Sequence, residues 1–284
     1  MLSFYTVKMQ NIFNIHGVRG TAPVCGESYA KYGGFTTCFS VRSDQGYLII
    51  DAGSGIQNLC NALEESDFDL PATILFTHFH VDHIIGLPFF PFLYRENATV
   101  QLVAQQGDQG SWEQALLGFM NEPYWPVSLE QVPANVSFID MVQSSGRVNQ
   151  MGFEVTTCPL NHTQTCSAYR LELEEFSVVI ATDHEPGNEL IDKQLIAFAH
   201  GADYFICDSQ YDLDEFEFFE GHGHAHWKWA AQAAKKAAVG QLLLTHHSPN
   251  RSDTEIDAFV EQARTIFPNT VGAAAGMQLE KPTN

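Results

Sequence analysis

Residues 77–83 read Thr77-His78-Phe79-His80-Val81-Asp82-His83, and this run decides how the chain is interpreted. Alternate residues of an extended chain point to the same side, so His78 and His80 can bind one metal ion together. If a turn or a helix begins after His80, Asp82 and His83 face another way and can serve a second ion. Imidazole suits zinc and neighbouring transition metals, whereas a carboxylate is a harder ligand. A mere polar turn is a poor explanation, because buried polar clusters need partners.

Four ligands cannot complete two metal sites, so further ligands are expected downstream. Three candidates follow short apolar runs that are typical of strands: His162, Asp183 and His246. Ligands of layered α/β proteins gather at the C-terminal ends of strands, so these three are expected to meet the histidine run at one rim. Each alone would be interpreted as an ordinary turn residue. Together with the run they predict a two-metal centre.

The chain is long enough for one large α/β domain or two small ones, and a single domain over residues 1–284 is predicted because no linker divides it. Strands are predicted where short β-rich runs are bounded by glycine and proline. They cover residues 11–16, 46–50, 72–77, 153–158, 169–173, 178–182, 204–207 and 241–245. Helices are predicted at residues 226–238 and 254–267, the second capped by Ser252 or Asp253. The irregular segment at about residues 95–150 is predicted to be an excursion that walls a pocket.

Charge and cysteine content restrict the expected partners. Fourteen basic and 34 acidic residues give a net charge of −20, which repels nucleic-acid backbones and anionic lipids. We therefore expect a small-molecule substrate, with no long nucleic acid and no membrane as partner. None of the six cysteines forms a CxxC pair, and the first eight residues lack the features of a signal peptide. Free thiols and a cytoplasmic location are therefore expected. A homodimer is the default expectation for the oligomeric state.

The histidine run and the later His, Asp and His, in this order, resemble the metal motifs of the metallo-β-lactamase superfamily over roughly residues 13–279. The resemblance implies an α/β fold, the four-layer αβ/βα sandwich. It also implies a ligand assignment: His78, His80 and His162 for the first metal ion, Asp82, His83 and His246 for the second, and Asp183 bridging both. Asp51 matches a family position that braces the metal loop. Two divalent metal ions are the implied cofactors, with zinc favoured and manganese or iron as alternatives.

Three other stretches resemble the phosphodiesterase branch of that superfamily, which includes ribonuclease Z, cyclic-nucleotide phosphodiesterases and a phosphonate-pathway phosphodiesterase. They are Gly17-Val18-Arg19-Gly20-Thr21-Ala22-Pro23 with the later Tyr32-Gly33-Gly34-Phe35-Thr36-Thr37-Cys38, Thr245-His246-His247-Ser248-Pro249, and Gly223-His224-Ala225-His226-Trp227. The last is similar to a Gly-His-Ser-Thr element that supplies a catalytic histidine. Here Ala225 and His226 replace the hydroxyl residues, so His222 and His226 stay open as alternatives to His224.

This resemblance implies a hydrolase in which a metal-bridging hydroxide attacks a small or cyclic phosphodiester. A histidine of near-neutral pKa can protonate the leaving oxygen, and His224 is predicted to be this general acid. Asp208 stands where a ribonuclease Z relative has a glutamate paired with that histidine, and it would orient the ring. The predicted catalytic residues are His224, Asp208 and Asp82, the last also a metal ligand. A phosphate contact is left open among Arg19, Arg42, Arg95 and Arg170.

Two alternative functions are retained. The same metal ions could hydrolyse a lactone, a thioester or a β-lactam, reactions for which His224 should be dispensable. The chain could also be a non-hydrolytic metal-binding protein of cofactor biosynthesis, although the complete ligand set argues against this. The missing lysine- or arginine-rich insertion argues against a tRNA-processing enzyme.

Overall fold

The computed structural model describes residues 11–107, 110–141 and 147–282, and these form two seven-stranded sheets. The first eight residues, on which the signal-peptide argument depends, lie outside this part of the chain. The first sheet contains β1 (Phe13–Gly17), β2 (Cys38–Ser43), β3 (Gly46–Ile50), β4 (Ala72–Leu75), β5 (Thr99–Ala104), β6 (Asn135–Asp140) and β14 (Gln278–Leu279). The second contains β7 (Arg147–Gln150), β8 (Phe153–Pro159), β9 (Ser167–Glu172), β10 (Ser177–Ala181), β11 (Tyr204–Asp208), β12 (Gln241–Thr245) and β13 (Thr270–Gly272). The helices are α1 (Ile56–Ala62), α2 (Val81–Ile84), α3 (Trp112–Phe119), α4 (Glu189–Phe198), α5 (Leu213–Phe218), α6 (Trp227–Ala237) and α7 (Asp253–Arg264).

The two sheets repeat one pattern of pairing. In the first sheet, β14, β1, β2 and β3 are antiparallel neighbours, and β3, β4, β5 and β6 are parallel neighbours. In the second, β7, β8, β9 and β10 are antiparallel, and β10, β11, β12 and β13 are parallel. The parallel strands of both sheets end at the same edge of the molecule. Loops that leave this edge can therefore carry side chains toward one another.

Alternation along the central strands divides the core into layers. Val178 and Ile180 of β10 pack in the core between the two sheets, whereas Val179 and Ala181 pack under α4, α6 and α7. A third core lies between the first sheet and helices α1 to α3. Side chains of a strand point alternately to its two faces, so a run of buried apolar residues implies cover on both sides. The four-layer αβ/βα sandwich predicted from the sequence is confirmed.

Most predicted elements are present, with shifted ends. The strands at residues 46–50 and 241–245 are matched by β3 and β12, and Ser252 caps α7 by accepting the N–H of Glu255. The run predicted to continue to Thr77 ends as β4 at Leu75. One reason is that the N–H of Thr77 donates to the carboxylate of Asp51 and not to a neighbouring strand.

The segment at about residues 95–150 is more regular than its prolines suggested. It supplies β5 and β6 at the edge of the first sheet, α3 between them, and β7 at the edge of the second. Its role as a pocket wall stays a prediction, as does the single domain over residues 1–284. Across the described part of the chain, no helix combines the length and the apolar character that crossing a membrane requires. The cytoplasmic location and the homodimer also stay predictions.

Candidate metal centre

The predicted ligands reach one edge of the sandwich from the ends of four strands. His78 and His80 follow β4, and α2 begins after His80, so Asp82 and His83 turn to a different side. The remaining three follow later strands: His162 after β8, Asp183 after β10 and His246 after β12. The structure therefore brings all seven predicted side chains together. Their role as metal ligands is a proposal taken up below.

The first group consists of His78, His80, His162 and Asp183, whose ligand atoms all lie within 4.8 Å of one another. His80 Nδ1 lies 3.1 Å from His162 Nε2. One carboxylate oxygen of Asp183, Oδ1, lies 3.6 Å from His78 Nε2 and 3.8 Å from His162 Nε2. Three imidazole nitrogens and one carboxylate oxygen therefore surround a common point.

The second group consists of Asp82, His83 and His246. His83 Nε2 lies 3.3 Å from His246 Nε2 and 3.4 Å from Asp82 Oδ2. The other oxygen of Asp183, Oδ2, lies 3.1 Å from His83 Nε2 and 3.3 Å from His246 Nε2. Asp183 thus presents a different oxygen to each group, which is the arrangement of a bridging carboxylate.

A network behind the cluster fixes which ring nitrogens face it. His83 Nδ1 lies 2.7 Å from Asp51 Oδ2 and donates to it, and Asp51 also accepts the N–H and the hydroxyl of Thr77. His162 Nδ1 donates to the carbonyl of Gly223 at 2.8 Å. Both rings donate from Nδ1, so Nε2 is the nitrogen that faces the cluster. At His83 burial disfavours the charged ring, but Asp183, Asp82 and Asp51 outweigh it and raise the pKa well above its ordinary value, so a metal ion must displace a proton from Nε2. Asp51 therefore holds Thr77 and His83 in place at the two ends of the histidine run, and its effect on a bound metal ion stays a prediction.

The donor set fits a pair of divalent cations. His78 Nε2 is buried and has no hydrogen-bond partner among the described residues, although buried polar atoms are almost always satisfied. In the second group two imidazole nitrogens and two carboxylate oxygens crowd together at 3.1–3.4 Å. Cations placed between such atoms would satisfy all of them at once, and five histidines with carboxylates suit zinc or a neighbouring transition metal.

The two groups differ in their electrostatics. Burial lowers the pKa of His78 well below its ordinary value and lowers that of His162 to about 4, so both rings are neutral imidazoles. At His246 burial also disfavours the charged ring, but Asp183 and Asp82 outweigh it and raise the pKa to about 9. A metal ion bound in the second group must therefore displace a proton from His246.

His224 lies beside both groups, on the loop that precedes α6. Its side chain is 10% exposed, and its Nδ1 lies 3.0 Å from Asp208 Oδ2. Asp208 is fully buried at the end of β11 and also accepts the N–H groups of Asp183 and Gln210. His224 Nδ1 is 3.7 Å from Asp183 Oδ1, close enough for the ring to be considered a ligand. The bond to Asp208 is shorter, and it leaves Nε2 for a substrate.

The two alternatives to His224 are engaged differently. His226 is the N-cap residue of α6, where its Nδ1 accepts the N–H of Trp229 at 3.2 Å. It thus fills the capping position that a hydroxyl residue would otherwise occupy. His222 is exposed and packs against Phe219. Of the three, His224 is the one paired with Asp208 next to the cluster.

The guanidinium groups of the four candidate arginines bind away from the cluster. Arg19 is fully buried and donates to three carbonyl oxygens, those of Gly33, Ser248 and Arg251. The other three pair with acidic side chains: Arg42 with Asp67, Arg95 with Glu65 and Arg170 with Glu172. Arg19 therefore stabilises the N-terminal loop against the loop after β12. These contacts do not identify any of the four arginines as a phosphate-binding residue.

Two contacts at the site were missed by sequence reasoning. The N–H of Thr21 donates to Asp82 Oδ2 at 2.7 Å, and neighbouring Gly20 has no room for a side chain because a Cβ would lie 2.3 Å from His246. The carboxylate of Glu185 binds the loop that carries His224. The glycine-rich stretch signalled the first contact without naming its partner. For Glu185 the only signal was its position two residues after Asp183.

The fold and this cluster define a metal-binding hydrolase of the αβ/βα sandwich class. A sequence model described as a beta-lactamase superfamily domain matches residues 47–247, so the chain belongs to the metallo-β-lactamase superfamily, as predicted. A ribonuclease Z of Lachnospira eligens is 25% identical over 296 aligned positions, covering 87% of this chain and 92% of that protein. This similarity supports the predicted phosphodiesterase branch.

Solved structures share the fold. The metallo-β-lactamase fold protein YhfI from Bacillus subtilis superposes with a TM-score of 0.70 at 21% identity, covering 96% of this chain and all of that one. A diphosphatase from the PhnP family superposes with a TM-score of 0.68 at 17% identity, covering 96% of this chain and 97% of that one. At these identities the likeness concerns the fold.

The expectation that long nucleic acid is excluded as a partner is wrong. It rested on the net charge of −20 and on the missing basic insertion, yet relatives that match most of this chain are named ribonuclease Z. Net charge sums over the whole surface, whereas bound divalent ions would dominate the local field at a phosphodiester site. Overall acidity therefore does not decide the size of the substrate.

Proposed function

We propose that the chain is a phosphodiesterase with two divalent metal ions at its active site. The ligands proposed for the first ion are His78, His80 and His162, and those for the second are Asp82, His83 and His246. Asp183 is proposed to bridge the two ions. The observation that supports two ions over one is that Asp183 presents Oδ1 to the first group and Oδ2 to the second. The class of enzyme, a metal-dependent phosphoric diester hydrolase, agrees with the ribonuclease Z names of the relatives.

When bound, two such ions supply Lewis-acid polarisation of the phosphoryl oxygens and a nucleophile generated from water at neutral pH. The side chains around them hold this chemistry in place. Asp51 fixes the ring of His83 and the carbonyl of Gly223 fixes that of His162, so their Nε2 atoms stay aimed at the cluster. Zinc is the proposed metal, because histidines outnumber carboxylates in the set.

His224 is proposed as the proton donor to the leaving group. Hydrolysis breaks the P–O bond opposite the attacking oxygen, and an alcohol leaves readily only if its oxygen gains a proton. Asp208 accepts the Nδ1 proton of His224 at 3.0 Å, which fixes the orientation of the ring. The Nε2 proton is then the one available to the leaving oxygen.

This pair is the specific reason to favour phosphodiester hydrolysis over the lactone, thioester and β-lactam alternatives. The hydrolysis of a lactone or a thioester needs groups that stabilise the oxyanion. It does not need a proton donor such as the His224–Asp208 pair. A non-hydrolytic protein of cofactor biosynthesis would not need the complete cluster of seven proposed ligands. A small or cyclic phosphodiester is the substrate proposed for the first assay, and RNA is the second class to be assayed because of the ribonuclease Z relatives.

The proposal is tested by metal analysis and a substrate panel. Protein purified and reloaded with zinc is expected to hold about two ions per chain and to hydrolyse bis(p-nitrophenyl) phosphate. A panel of cyclic mono- and dinucleotides and a precursor RNA identifies the natural class, with a lactone and a thioester as comparisons. Turnover of the lactone or thioester alone would overturn the phosphodiesterase assignment. A zinc-replete protein with one ion would overturn the dinuclear centre.

A further inference from the structure

The loop that carries His224 is bound by a carboxylate from another part of the chain. Glu185 follows β10 and lies two residues after Asp183. Its Oε2 accepts the N–H of Gly223 at 2.6 Å and that of Gly221 at 2.9 Å, and its Oε1 lies 3.0 Å from the latter. One carboxylate thus holds the amides of both glycines in the three residues that precede His224.

The backbone of this loop is shaped to bind an anion. Gly221 and Gly223 have φ angles of +88° and +87°, values that favour glycine. The N–H groups of Gly221 and Gly223, separated by His222, converge on one point, and amides that converge in a turn make an anion-binding concavity. Here the chain fills this concavity with its own Glu185 carboxylate.

The same loop also contacts a proposed metal ligand. The carbonyl of Gly223 accepts the Nδ1 proton of His162, and a Cβ on Gly223 would lie 2.1 Å from that ring. The backbone of Glu185 is tied to the residue before this ligand, because its N–H donates to the carbonyl of Asn161 and its own carbonyl accepts the side-chain amide of Asn161, both at 2.8 Å. Both contacts with Asn161 belong to the backbone of Glu185, so a change in the Glu185 side chain leaves the residue before His162 anchored.

We propose that Glu185 is a positioning residue for the proton donor, setting the place of His224 through the amides of Gly221 and Gly223. This inference rests on the proposed function of His224. Asp208 fixes the orientation of the His224 ring, whereas Glu185 fixes the backbone from which the ring projects. A displacement of about 1 Å in a catalytic group can cost about 100-fold in rate, so the loss of this anchor should appear in turnover.

A dependence on the leaving group separates positioning from simple structural support. p-Nitrophenolate is a weakly basic anion that leaves without a proton, whereas the alcohol of a dinucleoside monophosphate needs one. A displaced His224 should therefore slow hydrolysis of the dinucleoside ester and spare bis(p-nitrophenyl) phosphate. Damage to the metal centre or to the fold should slow both esters alike.

The experiment compares Glu185→Gln, His224→Ala and the wild type on these two esters, with zinc-loaded protein and counted ions. Glu189→Gln is the matched control, since this exposed residue of α4 pairs only with Lys193 among its described contacts. We expect Glu185→Gln to lower kcat for the dinucleoside ester by about 10- to 100-fold and to change kcat for bis(p-nitrophenyl) phosphate by less than about threefold. His224→Ala should show the same selectivity with a larger loss, and Glu189→Gln should match the wild type.

Equal losses on both esters, or no loss on either, would overturn the role of Glu185 while leaving the phosphodiesterase intact. A wild-type protein that hydrolyses neither ester would overturn the proposed function and this inference with it. If thermal unfolding shows that Glu185→Gln is not folded, Glu185→Asp replaces it. Its shorter carboxylate should give the same selectivity with a smaller loss, and an unselective loss would again contradict the inference.

Discussion

The ring of His224 stacks on that of His246, with centroids 4.9 Å apart and ring planes inclined by 23°. The proposed proton donor therefore touches a proposed ligand of the second metal ion. Contact with a ligand raises the question of whether His224 is itself a ligand, which its 3.7 Å separation from Asp183 also allows. If His224 is a ligand, its removal should lower the metal content of the protein. If it is the proton donor, its removal should leave the metal content unchanged.

His224→Ala should separate them. We expect the variant to retain the wild-type number of metal ions, because Asp208 and not a metal occupies Nδ1 of His224. Turnover of a diester with an alcohol leaving group should fall by roughly 10²–10⁴-fold, the usual contribution of general acid catalysis. Metal analysis and steady-state kinetics on one preparation provide the measurement. His222→Ala, which alters an exposed ring, is the control and should match the wild type. Loss of an ion from His224→Ala would make His224 a ligand.

Asp51 should control metal affinity without touching a metal ion. Its carboxylate accepts His83 Nδ1 and both donors of Thr77, and partners of this kind typically contribute 10- to 100-fold in affinity. Asp51→Asn should therefore weaken zinc binding by about that factor, measured by competition with a chelator. Asp69→Asn, at an exposed carboxylate, is the matched control. If Asp51→Asn bound zinc with wild-type affinity, Asp51 would have no role in holding His83 for the metal ion.

His226 should matter for stability and not for turnover. It caps α6 by accepting the N–H of Trp229, and loss of an N-cap costs about 1 kcal/mol in the free energy of unfolding. His226→Ala should show that loss in chemical denaturation, and His226→Thr should largely restore it, because threonine supplies a capping oxygen. Both variants should keep wild-type kcat. A large fall in kcat with unchanged stability would assign His226 a role in the reaction.

The same cap gives a dependence on pH. Burial, assisted by Lys228, lowers the pKa of His226 from 6.5 to about 4, so the unfolded chain takes up a proton at a higher pH than the folded chain does. Stability from the neutral ring is complete above about pH 6.5 and is lost as the pH falls toward 4. The wild type should therefore lose stability relative to His226→Thr over this window. Other buried histidines titrate in both proteins, so the difference isolates His226, and a difference independent of pH would contradict the assignment.

The sequence predicted which side chains form the metal cluster better than it predicted the loop contacts that position them. Apolar runs followed by His162, Asp183 and His246 indicated strand ends, and parallel strands must bring their ends to one edge. Glu185 could not be found in this way, because the partners of its carboxylate are the backbone amides of Gly221 and Gly223, which the side-chain pattern does not reveal. For the same reason sequence reasoning predicted His224 as the general acid but left His222 and His226 open as alternatives. Which of the three pairs with Asp208 depends on the backbone conformation at Gly221 and Gly223.

Asp183 provides the sharpest test of the shared centre. Its two oxygens face different groups of ligands. Asp183→Asn should therefore weaken the binding of both metal ions. His162→Ala removes a ligand from the first group alone. Native mass spectrometry during zinc titration should show that His162→Ala retains one ion under conditions in which Asp183→Asn retains fewer. The neutral amide is nearly the same size as the carboxylate, so packing should change little and the far-ultraviolet circular dichroism should be unchanged. If Asp183→Asn held two ions with wild-type affinity, the carboxylate would not be shared, and the two groups would have to be treated as independent sites.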